Sequence, residues 1–331
     1  MSEPEEIFDL LCENRHFEIG RKPVKWFENL DAMLAERLPE LQIVCEEPMS
    51  RHTSFAVGGP AKRMAFPHGS EQMVRLMEIA AACGLRPLVI GKGSNLLTAD
   101  EGLDCLVIDT SRAMMKIEEV GTGVLRAEAG ASLAQLAVFA QQRGLTGLEF
   151  AHGIPGTVGG AMCMNAGAYD GEMKQVVRSV TVLQPGAGVR TLTNTEMAFG
   201  YRRSILTDHP DWVVLSVEVA LQSGEPEQIW ARMTELMDRR RTSQPLEFHS
   251  AGSTFKRPAG YYAGALIDQC GLKGFTVGGA QVSEKHAGFV INRGGATCAD
   301  ILAVIRQVQA RVKEETGVDL EPEVKIVGCD C

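Results

Sequence analysis

The chain has 331 residues, 45% of them hydrophobic and 23% charged, which is the composition of a soluble globular protein large enough for two or three domains. A formal net charge of -9 excludes a general nucleic-acid binder, whose domain would be basic, and leaves room for a local cationic site. No run approaches the roughly 20 apolar residues of a membrane-crossing helix, and the acidic start MSEPEEIFDLLCENRHFEIG is not a secretory signal, so a cytoplasmic protein is expected.

Residues 1–40 are predicted to be helical, from Ile7, Leu10 and Leu11 and then Trp26, Leu30, Met33 and Leu34 at helical spacing. ELQIVCEE, KRMAFP, RPLVIGKGSNLL and CLVIDT are short β-type runs, and EQMVRLMEIAAACG between them is a helix ending at Gly84. Strand, helix and strand around a glycine turn make a small α/β unit. VLRAEAGASLAQLAVFAQQRGL is then a strand, a turn at Gly130 and an amphipathic helix stopped by Gly144. After a glycine-rich run come the strands VVRSVTVLQ, VRTLTN and WVVLSVEVALQ. The helix EQIWARMTELMDRRR, the loop SAGSTFKRP and the helix GYYAGALIDQCG follow. Strands at TVGGAQVS and AGFVIN, the long helix CADILAVIRQVQARVKEETG and the strand EPEVKIVG come last. The 9 cysteines are scattered, odd in number and set in apolar segments, as buried reduced thiols would be. Cys329 and Cys331 lack a second pair at ligand spacing, so no metal is expected.

Five motifs could carry chemistry. Gly91-Lys92-Gly93-Ser94-Asn95 follows the strand PLVI, where glycines let backbone approach a phosphate and successive amides form an anion nest. It is neither a dinucleotide fingerprint nor a P-loop, and alone it reads equally as a plain strand-ending turn. The run GIPGTVGGAMCMNAGA (Gly153 to Ala168) is poor in side chains, which suits close backbone approach to a large flat or phosphorylated ligand. Tyr201-Arg202-Arg203-Ser204 could clamp a carboxylate or be a surface cation pair. Ser253, set among small residues and followed by Lys256 and Arg257, suits a phosphate or carboxylate ligand and reads equally as a solvated loop; it has no nucleophile elbow, which argues against hydrolase chemistry. Glu323 enters the final strand and by itself would pass as an edge charge.

Together these motifs resemble the UDP-N-acetylenolpyruvoylglucosamine reductase family. The signals are HTSFAVGGPA (52–61), GKGSNLL (91–97), GIPGTVGGAMCMNAGAY (153–169), YRRS (201–204), AGSTFKRP (251–258), VSEKHAGFVIN (282–292) and EPEVKIVG (321–328), in family order from about residue 40 onward. The resemblance implies an FAD-binding fold of the vanillyl-alcohol-oxidase type with two α/β subdomains and a C-terminal α+β substrate domain. The expected divisions are a helical extension at 1–40, FAD-binding subdomains at 41–111 (with the last strand, 324–331) and 112–222, and a substrate domain at 223–323. The stretch between Tyr201 and Arg239 is too short for the insertion of one family branch, which points to the shorter, type II form.

The resemblance also implies the reaction: NADPH is the co-substrate, a hydride passes through FAD to the enolpyruvyl methylene of UDP-N-acetylglucosamine-enolpyruvate, and the neighbouring carbon is protonated. Arg202 falls on the arginine that stabilises the enolate charge, Ser253 on the proton donor and Glu323 on the assisting glutamate, whose pKa should be raised. FAD, held without a covalent link despite His152, would lie against Gly91, Lys92, Gly93, Ser94, Asn95 and Leu96. Its other wall would be Gly153, Ile154, Pro155, Gly156, Val158, Gly159, Gly160, Ala161, Asn165, Gly167 and Ala168. Tyr201, Lys256, Arg257 and Arg241 are the candidate substrate contacts; Arg257 stands where a second branch of the family has an asparagine, so Lys256, Arg257 and the cluster Arg239–Arg241 are the candidates for holding the diphosphate. The partners implied are small molecules, acting on a monomer. Another oxidase of the same fold, or a catalytically dead flavin binder, would not require Ser253 and Glu323 in these contexts.

Overall fold

The predicted first helix appears as α1 (Trp26–Arg37) in the computed structural model, which describes residues 26–329. Trp26, Leu30 and Leu34 recur every fourth residue and are buried as one stripe. The other expected helical residues, Ile7, Leu10 and Leu11, lie outside the described part. Four strands follow in the spatial order Gln42–Pro48, Pro60–Phe66, Leu103–Asp109, Leu88–Ile90. The first pair is antiparallel and the other two are parallel. Parallel strands are covered on both faces, which is why Cys105 to Ile108 form an unbroken apolar run that is buried throughout. The helix α2 (Gly69–Ala82) sits in the crossover and packs Met73, Leu76 and Ile79 with α1.

A second, five-stranded antiparallel sheet has the order Gly188–Thr193, Val177–Gln184, Val213–Ala220, Val124–Glu128, Ile117–Gly121. The edge strand Ile117–Gly121 has no apolar alternation because it is largely exposed, and sequence pattern does not disclose it. Helices α3 (Leu133–Gln141), α4 (Val158–Met164), α5 (Ile205–Asp208) and α6 (Pro226–Ser243) accompany this sheet. A capping box starts α3, with Ser132 and Gln135 satisfying each other's backbone amides. Ile229 and Met233 of α6 join the core of this second sheet.

The third layer holds α7 (Ala263–Gln269), the antiparallel strands Thr276–Val277, Ala280–Val282 and Val290–Asn292, and α8 (Cys298–Thr316). Thr297 and Asp300 cap α8, and Gly317, at φ 73°, ends it in the left-handed conformation. Its Ile301, Val304, Ile305, Val308 and Val312 form one buried stripe, and Phe55, Val57 and Leu97 from the first segment reach into the same core. Finally Lys325–Val327 pairs in parallel with Leu96–Thr98, bringing the end of the chain beside the GKGSN turn.

Candidate active site

Four of the sequence motifs lie edge to edge in one hydrogen-bonded layer. The Thr254 amide donates to the Gly288 carbonyl (2.8 Å), and the Thr254 carbonyl accepts from the Glu323 amide (2.7 Å). AGSTFKRP therefore runs between KHAGF and EPEVK. The Lys325 amide then donates to the Asn95 carbonyl (3.0 Å), and Asn95 Nδ2 donates to the Glu323 carbonyl (3.0 Å), which adds GKGSN to the layer. In extended chain, side chains alternate between faces. Ser253, Phe255 and Arg257 accordingly line a cavity of about 420 Å³, while Lys256 faces away and pairs with Glu321.

The same cavity receives Tyr201, Arg202 and Glu323. Tyr201 and Arg202 are the central residues of a tight turn closed by the Gly200 amide to the Arg203 carbonyl at 3.0 Å. Arg202 has φ 54°, where a residue with a Cβ costs on the order of 1 kcal/mol. Such strain persists where the surroundings hold it, and here the holder is Asn165. Its Nδ2 donates to the Gly200 carbonyl (3.2 Å) and to Glu172 (3.0 Å), and its Oδ1 accepts from the Lys174 amide (2.9 Å).

Arg202 Nε lies 2.7 Å from Glu323 Oε1. The contact is off the N–H axis, so charge rather than a directed hydrogen bond holds the pair. Burial pushes the Glu323 carboxyl above its ordinary value, against the pull of Arg202 and Lys256. The Ser253 hydroxyl is exposed to the cavity and has no protein partner among the described residues.

Two cavity residues from VSEKHAGFVIN had no role assigned from sequence, although the motif itself was evident. Lys285 Nζ donates to the Arg241 carbonyl at 2.6 Å. His286 Nδ1 accepts from the Gly288 amide at 3.1 Å, and burial lowers its pKa, so the neutral ring carries its proton on Nε2.

The cationic cluster needs correction. Arg239 pairs with Glu235 and Arg241 with Asp238, both exposed, and neither they nor Lys256 line the cavity. The inward residue is Arg240, whose Nε donates to Gln244 (2.9 Å) and whose Nη1 is buried without a partner. Burial lowers its pKa, with Tyr169 opposing, and it packs on Gly153, where an added Cβ would stand 3.2 Å from its Cδ. The sequence held a signal for this, because Ile229, Met233, Leu236 and Arg240 continue one helical stripe.

The two glycine-rich segments meet. A Cβ on Gly91 would stand 2.1 Å from Thr157 Oγ1, and one on Gly156 would stand 3.6 Å from Ser94 Oγ. Gly93, at φ 56°, packs on the His52 carbonyl, and its own carbonyl accepts from the Ser54 amide (3.2 Å). The amides of Lys92, Gly93 and Ser94 meet no protein acceptor among the described residues, as an anion nest requires. A side-chain-poor wall beside such a nest fits the isoalloxazine and diphosphate of FAD. Within the run, however, a short helix intervenes: Thr157 caps α4, and the amides of Val158 and Gly159 donate to the Ala131 and Ala129 carbonyls (2.8 Å each). Val158 and Ala161, 0% and 4% exposed, face the core and offer a ligand almost no surface. Asn165, 2% exposed and fully hydrogen-bonded, is likewise a support for the Arg202 turn rather than a cofactor contact.

Comparison with known proteins agrees with this geometry. The family model for the C-terminal domain of UDP-N-acetylenolpyruvoylglucosamine reductase matches residues 244–327, and an FAD-binding domain matches residues 61–193. The UDP-N-acetylenolpyruvoylglucosamine reductase of Caldanaerobacter subterraneus subsp. tengcongensis is 49% identical, covering 89% of this chain and 97% of its own length. That of Pediococcus pentosaceus is 48% identical, over 90% and 99%. The crystal structure of the Thermus caldophilus reductase superposes with a TM-score of 0.74 at 37% identity, covering 86% of this chain and 98% of the other.

Proposed function

This chain belongs to the UDP-N-acetylenolpyruvoylglucosamine reductase family, and on that premise we propose how its residues divide the work. It is an FAD-dependent oxidoreductase that reduces the enolpyruvyl group of UDP-N-acetylglucosamine-enolpyruvate in peptidoglycan synthesis. Bound FAD supplies the hydride, and NADPH is the reductant we assign to it. The observation that carries the reading is that Arg202, Ser253 and Glu323, from three distant segments, face one cavity.

Reduction at the methylene leaves negative charge on the adjacent carbon and on the carboxylate conjugated with it. Arg202, placed by its strained turn, meets that charge electrostatically. An arriving carboxylate takes over the guanidinium that Glu323 now shares, and Glu323, already biased toward its protonated form by burial, then donates a hydrogen bond instead of repelling the substrate. Ser253, exposed and unpartnered, holds its hydroxyl proton within the cavity for delivery to the carbanion. A hydroxyl is a poor acid in water, but a positioned one needs little driving force. Tyr201 and Arg257 touch each other, the Arg257 amide donating to Tyr201 Oη at 3.2 Å, and form the rim for the nucleotide end of the substrate.

The nest at 92–94 and the wall at 153–156 are the proposed FAD contacts. We assign the FAD subdomains to 41–111 with 324–331 and to 112–222, the substrate domain to 223–323, and a cytoplasmic monomer as the working form. Among the described residues no helix is long and apolar enough to cross a membrane. The test mixes the yellow protein anaerobically with NADPH and then adds UDP-N-acetylglucosamine-enolpyruvate. Bleaching followed by return of colour is expected, and a flavin that stays bleached rejects the reading.

A further inference from the structure

Outside the active site, among the described residues, one pair of cysteine thiols stands in van der Waals contact. Cys298 Sγ and Cys329 Sγ are 3.5 Å apart, although 31 residues separate them in sequence. Cys298 is the first residue of α8 and is 1% exposed, while Cys329 is half-buried just beyond the strand Lys325–Val327. Cys83 also meets a sulfur, the Met33 thioether, with which it cannot form a disulfide.

We propose that Cys298 and Cys329 form a reversible disulfide latch, closed by thiol–disulfide exchange with a low-molecular-weight disulfide. A disulfide needs its sulfurs about 2.05 Å apart, so the pair must close by roughly 1.5 Å. One partner can make that move and the other cannot. The α8 start is fixed, because Asp100 accepts from the Cys298 and Ala299 amides (2.8 and 3.1 Å) and Thr297 caps the helix. Cys329 instead follows Gly328, at φ 79°, past the last ladder contact, in which the Ala99 amide donates to the Val327 carbonyl (3.0 Å).

The roles divide by exposure. Cys329 is reachable from solvent, and the hydrogen bond from Cys298 lowers its pKa, which favours the attacking thiolate. Cys298 is held in the thiol form by that same bond and by burial. The Cys329 thiolate attacks one sulfur of the small disulfide, forming a mixed disulfide and expelling one small thiolate. Cys298 then loses its proton to solvent and its sulfur displaces the second small thiolate from Cys329. Two protein thiols are oxidised to one disulfide, and the small disulfide is reduced to two thiols. The closed loop would hold α8 and the segment carrying Glu323 to one another, because Cys329 lies two residues beyond the strand Lys325–Val327 that follows Glu323.

The experiment uses the FAD-loaded protein, incubated with oxidised glutathione, quenched with an alkylating agent and mapped by peptide mass. Wild type should yield a Cys298–Cys329 crosslinked peptide, two fewer titratable thiols and a melting temperature raised by on the order of 5 °C, all reversed by a dithiol. Cys298→Ser should stop at the mixed disulfide on Cys329, and Cys331→Ser should close the latch as wild type does. Full alkylation of Cys298 after oxidation, or a crosslink between Cys329 and Cys331 instead, overturns the proposal.

Discussion

Gly93→Ala tests whether the GKGSN turn is positioned by the segment 52–54 and carries FAD. The added Cβ would stand 2.0 Å from the His52 carbonyl oxygen and 2.9 Å from Thr53 Cα, both backbone atoms that cannot swing aside. It would also occupy φ 56°. The left-handed conformation costs alanine about 1 kcal/mol. Bringing the closest contact from 2.0 Å to an ordinary 3.4 Å displaces the turn by roughly 1.4 Å, an overpacking strain of about 1–3 kcal/mol. If bound FAD demands the native turn, its affinity falls by about 2–4 kcal/mol, or roughly 30- to 700-fold. Gly84→Ala is the control: its φ is 68°, but nothing lies within 4 Å of the added Cβ, so it bears the conformational cost without the collision. FAD titrated into each apoprotein, followed by flavin fluorescence quenching, gives the two affinities, and thermal melts give the shared cost. If Gly93→Ala binds FAD within about threefold of Gly84→Ala, the steric argument for this turn fails.

Three further outcomes are expected. Glu323→Gln and Ser253→Ala should bleach with NADPH at near wild-type rates yet recolour with the enolpyruvyl substrate about 10²–10⁴-fold more slowly; anaerobic stopped flow separates the two steps, and equal slowing of both would refute roles confined to the second. Arg240→Met removes a buried guanidinium with an unpartnered Nη1, so the apoprotein should melt no lower than wild type while affinity for FAD or the diphosphate substrate falls at least tenfold; a lower apoprotein melt with unchanged affinities would make Arg240 purely structural. His52 is buried between Asp109 (2.8 Å) and Glu47 (3.0 Å). Burial opposes its charge, but the two hydrogen bonds prevail and its pKa is raised. The stabilisation from His52 is therefore complete below the unfolded value of 6.5 and lost as pH rises through the folded value. His52→Asn should consequently cost more stability near pH 6 than near pH 9, and a gap in melting temperature that is constant or widens with pH would contradict this.

What was legible in the sequence follows from the range of the forces that wrote it. Helices α2, α3, α6 and α8 were evident because a buried stripe must recur at helical spacing, and the buried parallel strand CLVID because both its faces are covered. The edge strand Ile117–Gly121 was not, since an exposed strand has no apolar pattern to impose. The order of the motifs was enough to identify the family and the three candidate catalytic positions. Which face each neighbouring residue shows was decided by packing, which the stripe Ile229, Met233, Leu236 and Arg240 foreshadowed in the sequence of α6 alone. Lys256 turns from the cavity because extended chain alternates, and Arg240 rather than Arg241 turns inward because Ile229 and Met233 set the rotation of α6. Asn165 reads as a polar contact for a ligand until the folded chain shows its amide spent on Gly200 and Glu172. Local periodicity thus determined the elements, and the residue types their chemistry. The site itself, assembled from segments about thirty or more residues apart, exists only once long-range hydrogen bonds align them edge to edge.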